Sequence, residues 1–96
     1  MEKNERILIE KSKNGDTCAF EQLIEKHEQK IYNLLLNMTG NKHAAEDFSQ
    51  EAFLAAWQKI KSFKGNSEFS TWLYRIAVNL VKFNTNRYKG AKRLCN

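Results

Sequence analysis

Phe20, Leu23, Ile24, His27, Ile31, Leu34, Leu35 and Met38 recur at intervals of three and four residues. That spacing gathers them on one side of an α-helix, whereas a strand would scatter them over both faces, so it sets the structural class first. Proline is absent and glycine occurs only 4 times, so little interrupts helix propagation. The expected fold is all-α, a compact bundle of about four helices. A chain of 96 residues with 42% hydrophobic side chains can bury one core and stays near the lower size limit for doing so.

Punctuation along the chain gives the helix boundaries. A first helix is expected over roughly Asn4 to Lys13, closed by Gly15 in the left-handed conformation. Asp16 is placed to cap a second helix, Thr17 to Met38, which ends at Gly40. Asn41 can cap a third, about Lys42 to Lys61, and Ser67 or Ser70 a fourth that runs to about Tyr88. Residues 1–88 are then one helical domain, and 89–96 a basic tail or the start of a linker.

The net charge of +5 is unevenly spread. Residues Met1 to Gln58 hold seven Lys/Arg against ten Asp/Glu, a net −3, while Lys59 to Asn96 hold nine Lys/Arg against Glu68 alone, a net +8. Such a split suits a polyanion at the C-terminal half and a basic or mixed partner at the N-terminal half. Cys18 and Cys95 have no metal-like spacing and fit a reducing compartment. No apolar run reaches membrane-spanning length, and the N-terminus is too charged for a signal peptide. A soluble, cytoplasmic protein with no membrane partner is expected. No acid–base dyad emerges, so no catalytic residue, metal or cofactor is expected.

On the third helix Ala44, Ala45, Phe48, Ala52, Phe53, Ala55, Ala56, Trp57 and Ile60 form an apolar arc. The opposite arc holds Asp47, Gln50, Glu51, Leu54 and Gln58, with Leu54 central in a polar ridge. An interface often has that apolar centre and polar rim; an ordinary solvated face with one stray leucine fits the spacing too. His43, Asp47 and Glu51 also stand at i, i+4 and i+8, a spacing that can present three ligands to one cation. His27 reads as a packed core histidine with a satisfied nitrogen.

The richest segment is FKGNSEFSTWLYRIAVNLVK, Phe63 to Lys82. Its core arc is Phe69, Leu73, Ile76, Ala77, Leu80 and Val81. Beside that arc Thr71, Arg75, Asn79, Lys82 and Asn86 form a stripe bordered by Trp72 and Phe83. Lysine and arginine bind phosphate, aromatic rings stack on bases, and asparagine reads base edges. Stripe, local charge and the adjoining polar loop Lys64 to Ser67 together point to nucleic acid, and to separated strands in particular.

AEDFSQEAFLAAW followed by FKGNSEFSTWLYRIAVN closely resembles the promoter-melting domain, conserved region two, of extracytoplasmic-function sigma factors of bacterial RNA polymerase. The likeness runs from the Gly15-Asp16 turn to Arg87. It implies that Asp47, Gln50 and Glu51 of the D-x-x-Q-E pattern dock on the clamp helices of the polymerase largest subunit, with Leu54 added from helix geometry. It also implies that the loop receives a flipped-out base of the non-template minus-ten strand through Phe63, Lys64, Asn66 and Ser67, closed by Asn79. Trp72 and Arg75 fall beside the melted strand. With the basic stripe, the expected DNA contacts are Lys61, Phe63, Lys64, Asn66, Ser67, Thr71, Trp72, Arg75, Asn79, Lys82 and Arg87. An anti-sigma factor is a further partner implied by the resemblance.

Members of this group normally carry a second, helix-turn-helix domain after a linker, and the sequence to Asn96 contains none, as in an isolated domain or a short form. Two other readings stand beside the resemblance. One is a protein-interaction module that docks on polymerase or an anti-sigma factor without reading DNA; the other is a metal-dependent hydrolase built on His43, Asp47 and Glu51.

Overall fold

A computed structural model describes the chain from Lys3 to Cys95, and its side chains over residues 4–83. Within that span are five α-helices: α1 (Lys3–Lys13), α2 (Thr17–Glu25), α3 (Glu28–Thr39), α4 (Lys42–Lys59) and α5 (Phe69–Cys95). A 3₁₀ turn, Ile60–Ser62, follows α4. The all-α expectation holds.

Each early boundary is made by the residue the sequence offers for it. Gly15, at φ +93°, sends its N–H to the Ser12 carbonyl at 3.0 Å, and the Asp16 N–H reaches the Lys11 carbonyl at 3.0 Å. This pair of bonds is a Schellman closure. The Asp16 carboxylate then accepts from the Ala19 N–H at 3.0 Å, so one residue closes α1 and opens α2. Gly40 ends α3 at φ +66°, and Asn41 caps α4 by accepting from the Ala44 N–H at 3.0 Å.

Three boundaries differ from expectation. The single helix expected over Thr17 to Met38 is two, broken at Lys26 and His27. Both residues keep right-handed helical backbone, and the His27 N–H tightens onto the Ile24 carbonyl at 2.9 Å. No breaker residue is involved and the apolar spacing passes through unchanged. The bend comes from packing: the His27 ring lies 5.6 Å from Phe69 of α5, and its Nε2 lies 3.5 Å from Glu5 Oε2 of α1. Neither ring nitrogen has a hydrogen-bond partner among the described residues, against the expected satisfied one. Met38, expected on the core face, is 41% exposed because α3 is closing at Gly40. Helix α5 begins at Phe69 without a serine cap and continues past Tyr88 to Cys95. The segment expected as a tail has residues that propagate helices well, Ala91, Lys92, Arg93 and Leu94 among them.

The core forms where α3, α4 and α5 meet, and the α1–α2 pair covers one end of it. Leu23, Ile31, Leu35, Phe69 and Leu73 are fully enclosed. Ala45, Ala52 and Ala56 of α4 are equally enclosed, and their small side chains let that helix approach its neighbours closely. The buried hydroxyls of Ser12, Thr39 and Ser49 each donate to the carbonyl four residues back, at 2.7 to 2.8 Å, so all three are satisfied.

Candidate nucleic-acid interface

The segment between the 3₁₀ turn and α5 hangs from two buried aromatics. Phe63 enters it with 4% exposure and Phe69 leaves it with none. Their rings meet edge to face at 5.7 Å, and the half-buried Trp72 packs on both, at 5.2 and 5.5 Å. The loop's ends are thereby fixed by the core, while Lys64, Gly65 and Asn66 stand exposed. Gly65 adopts φ +77° in open space, so its lack of a side chain serves backbone conformation alone.

Beneath the loop is a cavity of about 510 Å³. One wall is residues 63–68; the other is helix α1, through Arg6, Ile9, Glu10 and Lys13. Lys13 places its Nζ 6.0 Å from the centre of the Phe63 ring. Phe63, Lys64, Asn66 and Ser67, grouped in one loop pocket by the sequence, all line this cavity. Phe63 forms the enclosed floor and offers no free ring face for stacking.

Two expectations change here. Asn79 does not line the cavity; it is exposed ten residues beyond Phe69, about 15 Å along the helix. The wall expected from α5 is supplied instead by α1, which sequence reasoning assigned no role. The signal was present in Arg6, Glu10 and Lys13, a charged series at i, i+4 and i+7, but nothing in the sequence says which element α1 faces.

On α5, Thr71, Arg75, Asn79 and Lys82 are all exposed and lie on one face. They span about 16 Å along the helix axis, roughly four or five nucleotides of a strand rising 3.4 Å per residue. Lys61 is exposed beside the loop, and Phe83 borders the stripe with 87% of its surface open. The side chain of Arg87 lies outside the described residues.

The second surface is on α4. Asp47, Gln50 and Glu51 are exposed, with Leu54 58% exposed among them. Gln50 also lines a shallow hollow of about 260 Å³ with Tyr32 of α3 and Phe53 of α4. Phe53, expected in the core, is only half-buried and reaches a second hollow of about 300 Å³ between α2 and α4. Glu21, Glu25, Glu28 and Glu46 edge these hollows and extend the acidic character onto neighbouring helices. Among the described residues no three His, Cys, Asp or Glu side chains gather where one cation could hold them, His43, Asp47 and Glu51 included. No helix among those residues is long and apolar enough to cross a membrane.

Comparison with known proteins gives this geometry a context. A family model, Sigma-70 region 2, matches residues 23–89. The chain is 51% identical over 73 residues to the ECF RNA polymerase sigma factor SigW of Bacillus subtilis, covering 76% of this chain and 39% of that protein. It is 38% identical over 78 residues to the ECF RNA polymerase sigma-E factor of Escherichia coli K12, covering 81% and 40%. The chain therefore spans about two fifths of the length of these relatives. An NMR structure of an engineered region 2 of sigmaE in complex with GTAAAA has the same fold, with a TM-score of 0.80 and 35% identity over 96% of this chain and 97% of that one. With the family model spanning most of the bundle and the fold shared nearly end to end, the chain belongs to the Sigma-70 region 2 family.

Proposed function

We propose that this domain is a promoter-recognition module of a bacterial RNA polymerase sigma factor. It binds the core enzyme through the α4 ridge and captures the non-template strand of the minus-ten element through the α1–loop cavity and the α5 stripe. The observation that carries this reading is the cavity itself. It is roofed by an exposed polar loop, anchored on buried aromatics and continuous in sequence with a cationic helix face, in a fold shared with a domain solved in complex with GTAAAA.

The physics of strand capture fits those parts. An unstacked base costs a few kcal/mol, and a preformed pocket with polar edges and an apolar floor offsets it. Lys61, Lys64, Arg75 and Lys82 supply phosphate contacts that hold the strand without choosing its sequence, while Asn66, Ser67, Thr71 and Asn79 reach base edges. Trp72 orients the loop from its half-buried seat; Arg87 extends the cationic face. Asp47, Gln50 and Glu51 around Leu54 give the ridge a polar rim and apolar centre suited to the clamp helices of the largest subunit. An anti-sigma factor is a further protein partner. The module is non-catalytic, takes no cofactor and works in the cytoplasm.

Fluorescence anisotropy with single-stranded minus-ten oligonucleotides tests the reading. Binding should weaken with salt, with a log–log slope of about −0.7 for each phosphate neutralised. Binding to polymerase with no salt-sensitive capture of the strand would favour an interaction module that does not read DNA.

A further inference from the structure

The geometry points to helix α1 as half of the base-reading pocket, with Glu10 selecting a base that carries an exocyclic amino group and Lys13 holding its phosphate. This deepens the strand-capture reading and rests on it. Three observations carry it. First, α1 faces the loop across the 510 Å³ cavity, so any group that enters beneath residues 64–67 meets α1 on its far side. Second, the α1 wall is chemically mixed in an ordered way: Ile9 is 4% exposed and continues the apolar floor of Phe63, while Arg6, Glu10 and Lys13 rise around it. Third, the Glu10 carboxylate has no ion-pair or hydrogen-bond partner among the described residues although cations line the same cavity. A carboxylate that is left free beside Arg6 and Lys13 is available to a ligand.

The base preference follows from donor and acceptor chemistry. An ionised carboxylate only accepts hydrogen bonds. Cytosine, adenine and guanine each present an exocyclic amino donor, N4–H₂, N6–H₂ or N2–H₂, whereas thymine has none and flanks its single N3–H with two carbonyl oxygens. Glu10 therefore favours these three bases over thymine. Lys13, whose Nζ stands 6.0 Å from the Phe63 ring centre, has three donors and no acceptor. A base entering between the loop and α1 would have its backbone led past Lys13 and Arg6 at the cavity mouth. The α1 residues lie outside the matched span 23–89, so this half of the pocket belongs to a part of the chain that the family model does not describe.

The test uses the whole chain and single-stranded DNA octamers, random except for one position fixed in turn as A, C, G or T. With the unaltered chain, one position should favour A, C and G over T by about tenfold or more, the effect of one charged hydrogen bond. Glu10→Gln, whose amide both donates and accepts, should level that position to within about twofold and leave other positions alone. Lys13→Ala should weaken every octamer alike and reduce the magnitude of the salt slope by about 0.7. Glu10 is exposed and Lys13 half-buried at the end of α1, and circular dichroism should show unchanged helix content. Retained discrimination in Glu10→Gln, with octamer binding intact, would overturn the role of α1 and leave strand capture standing. No octamer binding by the unaltered chain would overturn strand capture and this inference with it.

Discussion

The α4 ridge and the α1–loop–α5 face are built in opposite ways on the same scaffold. The ridge is a single continuous helix: Asp47, Gln50, Glu51 and Leu54 are positioned by the burial of Ala45, Phe48, Ala52 and Ala56 on the other side. Its geometry is set by helical repeat alone. The proposed nucleic-acid face joins α1 to a loop distant from it in sequence and to the α5 helix that continues the loop, with exposed cations, a cavity and a glycine-containing turn held by Phe63 and Phe69. The first suits docking against a rigid partner and the second suits enclosing a small flat group. The contrast shows why a bundle this small can hold two surfaces: each uses side chains that the shared core does not need.

The largest effect should come from removing the element both faces share. Phe69 is fully buried beneath the loop and against His27, so Phe69→Ala should cost about 3–5 kcal/mol in denaturant unfolding. Both binding activities should fall together. Loss of strand capture alone, with unchanged stability, would show that the loop is not supported from below. Next in size is Glu51→Arg, which should abolish pull-down of core polymerase while octamer binding and the helix signal in circular dichroism persist. Failure of both activities in that variant would break the division between the faces.

Arg75→Ala should sharpen the division from the other side. The expected outcome is a roughly threefold to tenfold loss of single-strand affinity, that of one phosphate contact, at unchanged polymerase binding. Gly65→Ala probes the loop by itself. No atom lies within 4 Å of the position an added methyl group would take, so only the left-handed backbone at φ +77° is strained. A cost of about 1–2 kcal/mol is expected, read as weaker octamer binding and a melting temperature lowered by several degrees, with polymerase binding unchanged.

These particular residues also show how far sequence can be read. The caps at Asp16 and Asn41 and the closures at Gly15 and Gly40 are local chemistry, carried by a few adjacent atoms, and all four are where spacing places them. The ridge on α4 was legible for the same reason, because helical rotation alone sorts its residues into two arcs. The break at His27 was not legible: its backbone stays helical, and the cause lies in Glu5 and Phe69 on other helices. The far wall of the cavity was hidden likewise. Arg6, Glu10 and Lys13 read as an ordinary charged helix face until the fold brings them opposite the loop. Phe63 was recognised as part of the pocket, but its burial against Phe69 and Trp72 is a tertiary fact that makes it floor and not platform.

The central claim is that one small core presents two separate surfaces, a strand-capturing face and a polymerase-docking ridge. Backbone amide chemical shifts followed by NMR during titration with single-stranded minus-ten DNA test it most directly. The account predicts shifts at Lys64 to Ser67, along Arg75 to Lys82 and at Arg6 to Lys13, with Asp47 to Leu54 unmoved. Shifts centred on Asp47 to Leu54, with the loop and α1 silent, would contradict it.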